Sequence, residues 1–478
     1  MNQTATSSRQ GALARAREHV DSGAFEAVLA RRVAVRSESQ DPAQAAHLQS
    51  YLEQQLVPDL QALGCACTVH ANPMASDVVG AGPFLVAHRH ESDALPTLLL
   101  YGHADVIRGQ DAQWTKGAGP WVLARDGERL YGRGTADNKG QHSINLAALE
   151  CVRAERGGQL GFNLKCLFET GEETGSPGLN EFCTQERERL RADALIASDG
   201  PRLRADQPTV FLGTRGTANF DLKLNLRAGA HHSGNWGGLL RNPGTVLAAA
   251  IASLVDGHGR ILVPGLRPPP IPANVRAALA GVTVGGGPGD PEVDADWGEP
   301  GLTPAERVFG FNTLEVLAYR TGNPDFPVNA IPAHAQATLQ LRFVVGTDVA
   351  HLREHIVARL HEQGLHGISV SEPMVMQATR EDPDNAWVRL AMASLEHTTG
   401  KRPTLLPNLG GSLPNDVFAH TLGLPTVWVP HSYPACQQHA PDEHLLLPLV
   451  REGIQMMAGL YWDVGQSAAT LPRAQERC

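Results

Sequence analysis

Two adjacent glutamates, Glu172 and Glu173, stand in the stretch FETGEETGSPGL, directly after an apolar run. Adjacent carboxylates repel each other, and the repulsion is poorly screened in a partly buried turn, so the pattern predicts a positive charge nearby. On its own, such a pair is more often a solvated acidic turn, because such turns are common and short motif matches are often accidental. The positions of the other histidine and carboxylate residues in the sequence distinguish between these interpretations.

Histidine and carboxylate side chains follow several other apolar runs in the same way. The stretch TLLLYGHAD ends in His103 and Asp105, and ALIASDG ends in Asp199. Asp137 lies in YGRGTADNKGQ before a predicted helix, and His439 lies in HSYPACQQHAPDEH after the run LPTVWVP. A single strand-end aspartate is more often a cap than a ligand. Open α/β sheets, however, bind ligands at the carboxyl ends of their strands, so several such residues together predict one shared metal site.

The ligand types indicate which metal this site would hold. Imidazole and carboxylate without thiolate are typical of zinc and also suit manganese or cobalt, whereas calcium and magnesium prefer oxygen alone. Two histidines and three carboxylates exceed the three protein ligands of one catalytic zinc. We therefore expect two divalent metal ions, with Zn²⁺ as first choice, that share one bridging carboxylate and lie roughly 3.5–4 Å apart. One of the two adjacent glutamates can then bind metal while the other transfers a proton from the attacking water to the leaving amine.

The elements that must position these residues form two patterns. Short apolar runs bounded by turn residues, with helical stretches such as QHSINLAALECVRAE between some of them, predict an α/β domain with a central sheet covered on both faces. From about residue 214 the runs FDLKLNL and ATLQLRF alternate with period two, which predicts antiparallel strands with one wet face. Predicted helices at 243–255 and 350–361 and a strand at 368–370 complete a β-α-β-β-α-β order.

This middle segment predicts an inserted α+β, ferredoxin-like lid domain. The expected boundaries are 20–213 and 385–478 for a discontinuous catalytic domain and 214–384 for the lid and dimerisation domain. The stretch 281–301, GVTVGGGPGDPEVDADWGEPG, predicts a loop because it is rich in glycine, proline and acid. The stretch HLQSYLEQQLVPDLQALG predicts one amphipathic helix that ends at Gly64.

Composition excludes several classes of partner. With 42% hydrophobic and 19% charged residues among 478, the chain has globular composition, and no apolar run is long enough to predict a membrane span. A formal net charge of −10 disfavours nucleic acid and anionic membranes as partners. The first twenty residues lack the apolar core of a secretory signal, so we expect a cytoplasmic protein. Seven scattered cysteines do not predict a disulfide framework.

The motifs YGHADV, GRGTADNKG, ETGEETGS, ASDGP, HHSGNWGG, NAIPAHA, LGGSLP and HAPDEH together resemble a known family over nearly the whole chain after residue 20. The family is that of the co-catalytic dinuclear zinc metallopeptidases, which includes carnosinase-type cytosolic dipeptidases, acetylornithine deacetylase, succinyl-diaminopimelate desuccinylase and glutamate carboxypeptidases. The resemblance implies that Asp137 bridges two metals. It further implies that His103 and Asp199 complete one site, that Glu173 and His439 hold the other, that Glu172 is the general base and that Asp105 orients His103.

The resemblance also implies substrate contacts and a homodimer formed through the lid. His232 in HHSGNWGG is similar to a histidine that reaches the partner subunit's active site. Arg342 in LQLRF is similar to an arginine that holds the substrate carboxylate, a task that suits a guanidinium. Asn329, Gly411 and Ser412 resemble further substrate contacts. The alternative is that these five residues are ordinary surface or turn residues.

The expected reaction is cleavage of a peptide or N-acyl amide bond next to a free carboxylate in a small substrate. Aspartate at position 199 is associated with the dipeptidases of the family, whereas LAYRTGNPDFPVNAIP resembles the deacetylases, so a dipeptide and an N-acyl amino acid both stay open as substrates. A serine hydrolase would need a Gly-x-Ser-x-Gly elbow, which neither HHSGN nor GGSLP supplies. A non-catalytic protein on this fold would be expected to lose Glu172 or a metal ligand, and none is lost.

Overall fold

The computed structural model describes residues 7–75, 78, 80–287 and 290–474. Residues 288 and 289 of the predicted loop, and residues 475–478 of the predicted catalytic domain, lie outside the described residues. The described parts of the 281–301 stretch contain turns and bends but neither helix nor strand. The six cysteines within the described residues are all free thiols.

A mixed eight-stranded sheet forms the centre of the molecule. The order of its strands is Ala66–His70, Phe84–Arg89, Asn163–Glu169, Thr97–His103, Ala194–Ala197, Thr426–Trp428, Thr209–Phe211 and Thr404–Leu406. The four neighbouring strands from Asn163–Glu169 to Thr426–Trp428 run parallel to one another. Their carboxyl ends therefore meet at one edge of the sheet.

Both faces of this sheet are buried, as its apolar runs predict. Along the strand Thr97–His103, Leu98 and Leu100 belong to one buried cluster, whereas Leu99 and Tyr101 belong to a second cluster on the opposite face. Side chains alternate between faces in a strand, so one short run supplies both cores. Each fully buried leucine contributes about 1.5–3 kcal/mol of transfer free energy, which fixes the strand and the residues at its end.

Helices cover this sheet and the smaller lid sheet. The α-helices of the described chain are Arg9–Asp21, Ala24–Val33, Ala45–Tyr51, Val57–Ala62, Lys139–Glu155, Leu179–Gln185, Arg187–Leu190, Ser233–Trp236, Pro243–Leu254, Ala273–Leu279, Pro304–Phe309, Leu352–Glu362, Ala386–Thr399 and Leu447–Gln466. None of them is long and apolar enough to cross a bilayer.

The lid contains a separate antiparallel sheet. Its strand order is Thr313–Thr321, His334–Phe343, Gly216–Asn225 and Ser369–Val370, with Met374–Met376 also paired to Gly216–Asn225. Along the chain the elements run strand, helix, strand, strand, helix, strand, and the second, third, first and fourth strands follow one another across the sheet. The predicted ferredoxin-like arrangement is therefore confirmed.

One face of the lid sheet packs on the helices Pro243–Leu254 and Leu352–Glu362. In the strand Gly216–Asn225 every second residue is buried, including Phe220 and Leu222, and the residues between them are more exposed. The period-two pattern thus places apolar side chains against the helices and polar side chains on the other face.

The chain passes into the lid after Gly213 and returns beside it at Thr379. The backbone N–H of Thr379 donates to the carbonyl of Thr214 at 3.0 Å, and the N–H of Thr214 donates to Thr379 Oγ1 at 3.1 Å. A Cβ atom on residue 213 would lie 2.2 Å from the Thr379 carbonyl oxygen. Glycine at this position is therefore required for the close approach of the two connecting segments.

Two small sheets lie outside these layers. One has the strand order His444–Leu446, Arg129–Tyr131 and Ala124–Asp126, and it adjoins the loops that carry Asp137 and His439. The other is a two-stranded ribbon of the lid, in which His231–His232 pairs with Ala330–Ile331. We call this second sheet, together with the adjoining residues 233–240 and 324–329, the lid ribbon.

Candidate metal centre and active site

The edge where the parallel strands end holds the residues that the sequence singles out. His103 is the last residue of its strand, Glu172 and Glu173 begin a 3₁₀ turn just beyond Asn163–Glu169, and Asp199 lies two residues beyond Ala194–Ala197. Asp137 stands two residues before the helix Lys139–Glu155. The fold therefore brings these side chains together although they are far apart in sequence.

His103, Asp137 and Asp199 form one group that could hold a metal ion. One ligand atom from each lies within 4.8 Å of the others. The His103 Nε2 atom is 2.8 Å from Asp137 Oδ1 and 3.6 Å from Asp199 Oδ2. All three side chains are buried. Buried imidazole and carboxylate groups at this spacing are the donor set of a zinc-type site.

Asp137, Glu173 and His439 form a second group with the same spacing. The His439 Nε2 atom lies 3.1 Å from Asp137 Oδ2 and 3.0 Å from Glu173 Oε2. Asp137 thus presents one carboxylate oxygen to each group. A carboxylate shared in this way is the arrangement by which two metal ions are bridged.

The pKa shifts in this cluster indicate that its carboxylates favour a nearby positive charge. Burial raises the pKa of Glu172 well above its usual range, and burial together with the Asp137 charge raises the pKa of Glu173 to about 7. Hydrogen bonds to Asp137 and Glu173 raise the pKa of His439 to about 11. The protein alone therefore offsets its crowded carboxylates by holding protons, which bound cations would replace.

One buried oxygen gives a direct test of whether a cation fits. Asp199 Oδ1 accepts a hydrogen bond from the Gly200 N–H at 2.6 Å, but Asp199 Oδ2 is buried without a hydrogen-bond partner among the described residues. An unpartnered buried carboxylate oxygen is costly unless an ion or proton satisfies it. Because this oxygen faces the His103 ring, the residues present fit a metal ion.

Asp105 links the first ligand to the glutamate pair. The His103 Nδ1 atom donates to the Asp105 carbonyl oxygen at 3.1 Å, which leaves Nε2 directed at Asp137. The Asp105 carboxylate accepts the backbone N–H groups of Glu172 and Glu173 at 3.2 and 3.1 Å. Asp105 therefore orients the His103 ring and also fixes the turn that presents both glutamates.

A cavity of about 400 Å³ opens beside the ligand groups. Its walls include Glu172, Asp199 and His439 from the cluster, and Gly411 and Ser412 from the loop after Thr404–Leu406. This volume suits a small substrate. The structure thus places two of the predicted substrate contacts on the same cavity as the predicted base.

Arg342 reaches this cavity wall from the lid. Its Nη1 atom donates to Ser412 Oγ at 2.9 Å, and its Nε atom donates to Gln340 Oε1 at 2.9 Å. A lid strand and a catalytic-domain loop therefore meet through this arginine, next to the cavity.

His232 and Asn329 lie elsewhere. Both are exposed residues of the lid ribbon, where His232 pairs with Ala330 and the Asn329 carbonyl accepts the Ser233 N–H at 2.9 Å. Neither residue lines the cavity of its own chain. The structure brings these two predicted contacts together but separates them from the ligand groups.

Two further residues support the site and were not assigned a role from the sequence. Glu443 accepts the backbone N–H groups of Ala136 and Asp137 at 2.8 and 3.1 Å, and it also accepts Arg133 Nη1 at 2.9 Å. Gln438 Nε2 donates to Asp137 Oδ2. Both lie in the stretch HSYPACQQHAPDEH, where their neighbour His439 was the visible signal.

Parallel strand ends that hold two overlapping groups of histidine and carboxylate, beside a glutamate facing a cavity, define a metallohydrolase. Residues 99–463 match peptidase family M20/M25/M40, and the chain belongs to this family. It is therefore a hydrolase of the metallopeptidase class, which confirms the family and the enzyme class that the sequence motifs imply.

Named relatives agree with this class. A cysteinylglycine-S-conjugate dipeptidase of Corynebacterium striatum is 29% identical over 333 residues, which cover 67% of this chain and 70% of that enzyme. A Beta-Ala-His dipeptidase of Mus musculus is 36% identical over 187 residues, which cover 38% of this chain and 37% of that enzyme. A succinyl-diaminopimelate desuccinylase of Methylocella silvestris is 26% identical over 378 residues, 77% of this chain and 81% of that enzyme.

A solved structure shows the same fold. Human carnosine dipeptidase 1 superposes with a TM-score of 0.75 at 22% sequence identity, and the match covers 95% of this chain and 99% of that chain. The similarity therefore spans both the central sheet and the inserted lid, and it confirms the predicted fold class.

Proposed function

We propose that the chain is a dinuclear metal-dependent hydrolase that cleaves a peptide or N-acyl amide bond adjacent to a free carboxylate, with a dipeptide as substrate. The observation that carries this proposal is the Asp137 carboxylate, which presents one oxygen to each of two ligand groups beside the free side chain of Glu172. Two divalent ions, Zn²⁺ by preference and Mn²⁺ or Co²⁺ as alternatives, suit these ligands.

In this proposal each side chain of the cluster has one task. His103 and Asp199 hold one ion, Glu173 and His439 hold the other, and Asp137 holds both. When bound, the ions would lower the pKa of the attacking water and polarise the amide carbonyl.

Glu172 is the proposed proton carrier. It lines the cavity and is absent from both ligand groups, so its carboxylate is free to accept a proton from the attacking water. The same carboxyl group can then pass the proton to the leaving amine. Asp105 keeps the Glu172 backbone in place through the hydrogen bond to its N–H.

Arg342 and the loop at Gly411 and Ser412 are the proposed site for the substrate's free carboxylate. The guanidinium of Arg342 is only partly buried and has a hydrogen bond to Ser412 at the cavity wall. A planar guanidinium can bind a carboxylate with two hydrogen bonds. This contact would place the scissile amide toward the cluster.

The lid ribbon is the proposed dimer contact, through which His232 and Asn329 would complete the partner's active site. Large apolar residues are exposed around these two: Leu239 is 76% exposed, and Phe326 and Val328 are each 77% exposed. Exposed apolar groups that flank polar residues are typical of a protein interface. The C₂ symmetry of a homodimer would bury both copies of the ribbon at once.

Among substrates, the named dipeptidases favour a dipeptide, whereas the desuccinylase relative supports N-acyl amino acids as the second candidate. A hydrolysis screen separates them: metal-loaded protein is incubated with dipeptides, N-acetyl amino acids and N-succinyl amino acids, and free amine is measured. We expect the highest kcat/KM with dipeptides and a clear loss with their C-terminal amides. Faster cleavage of the acyl substrates would favour the deacylase, and no cleavage of any member would contradict the proposed function.

A further inference from the structure

Arg215 stands behind the cavity wall, at the point where the chain enters the lid. Its backbone N–H donates to the Leu409 carbonyl at 3.1 Å, and its backbone carbonyl accepts Ser412 Oγ at 2.7 Å. Its side-chain Nε atom donates to the Gly410 carbonyl at 2.9 Å. The backbone of Arg215 and its side-chain Nε atom therefore both hold the loop that carries Ser412.

One nitrogen of the Arg215 guanidinium lacks a hydrogen-bond partner among the described residues. This nitrogen, Nη1, is buried. Burial and the neighbouring Arg342 charge together lower the pKa of Arg215 to about 10, and Glu315 on the lid edge strand offsets part of this effect. A buried cation beside a second cation is unfavourable unless an anion lies close to both.

The two arginines converge on one short loop. Arg342 reaches Ser412 from the lid strand, and Arg215 reaches Gly410 from the connecting segment. Gly410, Gly411 and Ser412 line the cavity that also contains Glu172. The loop therefore lines the cavity and is bonded to two positively charged side chains, Arg215 at Gly410 and Arg342 at Ser412.

We propose that Arg215 is a positioning residue for the substrate's free carboxylate, and that its buried charge acts with Arg342 through the Gly410–Ser412 loop to select acids over neutral analogues. This inference rests on the proposed function, because it assigns the substrate of that reaction as the anion that lies close to Arg342 and to the unpartnered Arg215 Nη1 atom. One unit charge at roughly 10 Å, with an effective dielectric constant near 20, changes anion affinity by about 10-fold.

A purely structural role for Arg215 makes a different prediction. If the side chain only holds the Gly410 carbonyl, its loss would loosen the loop and weaken acids and neutral analogues equally. If the charge of Arg215 contributes to binding, its removal weakens the binding of the acid alone. The ratio of the two affinities therefore separates the roles.

The probe is 5-aminolevulinate, an isostere of glycylglycine in which CH₂ replaces the amide nitrogen, so that no amide bond can be cleaved. Its methyl ester keeps the amine and differs in having an uncharged carboxyl end. Dissociation constants for both are measured by calorimetry on metal-loaded protein, with metal content determined for every variant. The variants are Arg215→Met and Arg215→Gln, which are neutral, and Arg215→Lys, which keeps the charge. Arg353→Ala, a lid arginine bonded to the Val370 carbonyl, is the matched control.

We expect wild-type protein to prefer the acid, Arg215→Met and Arg215→Gln to reduce that preference about 10-fold, and Arg215→Lys and Arg353→Ala to retain it within about 3-fold. An unchanged ratio of acid to ester in the neutral variants, even with weaker binding of both, would overturn the proposal. Wild-type protein that binds the acid and the ester equally well would also overturn the proposal.

Hydrolysis of glycylglycine is measured in parallel. A protein that prefers the acid but cleaves no member of the substrate screen would contradict the proposed function and leave the role of Arg215 intact.

Discussion

The ligand cluster at the sheet edge and the lid ribbon differ in how far one chain completes them. In the cluster, His103 and Asp137 are buried, and each contacts the other from a distant part of the same chain. In the lid ribbon, His232 and Asn329 are exposed, and their described bonds are to the ribbon itself. The cluster is thus a finished site within one chain, whereas the ribbon presents polar and apolar groups outward.

Because of this difference, we expect the ligand cluster to depend on bound metal and the lid ribbon to depend on dimer formation. A buried cluster of carboxylates needs cations, so its function should fail when metal is removed, whatever the state of assembly. An exposed ribbon that carries proposed substrate contacts would need a second surface, so its proposed function should depend on pairing. The predictions below test this division in order of expected effect.

Metal removal gives the largest expected effect. Exhaustive dialysis against a chelator should abolish activity, because Asp137, Glu173 and Asp199 would lose the cations that the proposed reaction requires, and added zinc, manganese or cobalt should restore it. Activity is measured on a substrate from the hydrolysis screen, with metal content followed by atomic spectroscopy. Full activity in protein shown to be metal-free would rule out the cluster as the reactive centre.

The adjacent glutamates should separate catalysis from metal binding. Glu172→Gln should keep its metal and lose kcat by at least ~10²-fold, the usual effect of losing a general base. Glu173→Gln should lose metal as well, because Glu173 Oε2 lies in the second ligand group beside His439. The two variants are each other's control, since they make the same change one residue apart. Equal metal loss in both would show that the two roles had been assigned to the wrong residues.

The sequence predicted the fold where local pattern determines structure. The four parallel strands arise from short apolar runs, and the lid arises from period-two alternation, so both follow from which faces are buried. The predicted single helix before Gly64 was less accurate: it is divided into Ala45–Tyr51, a π-helical turn at Leu52–Leu56, and Val57–Ala62. Pro58 lacks the N–H that a regular α-helical bond needs there, which explains the change.

The candidate site was predictable to the extent that its residues follow strands. Glu443 was missed because it acts on Asp137 from 306 positions away, through backbone N–H groups that no local motif reveals. The buried charge of Arg215 was missed because only the folded loop at Gly410 shows that it is unpaired. The individual roles of the ligands, the domain boundaries, the zinc identity and the cytoplasmic location stay predictions.

Arg342 should give an intermediate effect, since it belongs to the lid but contacts the cavity wall. Arg342→Ala should lower kcat/KM for a carboxylate substrate by about 10–100-fold, the range of a lost charge-assisted hydrogen bond, and should change the amidated analogue far less. Steady-state kinetics on the acid and amide pair measure this difference, and Arg353→Ala again serves as the control. Equal losses on acid and amide would contradict the proposed contact with the substrate carboxylate.

The smallest expected departure from wild-type activity, about fourfold, is that of mixed dimers, which test whether the lid ribbon completes the partner's active site. His232→Ala and Glu172→Gln homodimers should each be nearly inactive, because every site lacks one required group. In a mixed dimer, the chain with intact Glu172 receives His232 of the partner subunit, so one site is complete and the other lacks both groups. Random pairing makes about half the dimers mixed, so co-expression in equal amounts should recover roughly a quarter of wild-type activity.

If His232 serves its own chain, no pairing assembles a complete site, and a mixture shown to contain heterodimers should stay inactive. That result would contradict the shared site and leave the assignment of the ligand cluster unaffected, since His232 belongs to neither ligand group and does not line the cavity in the described chain.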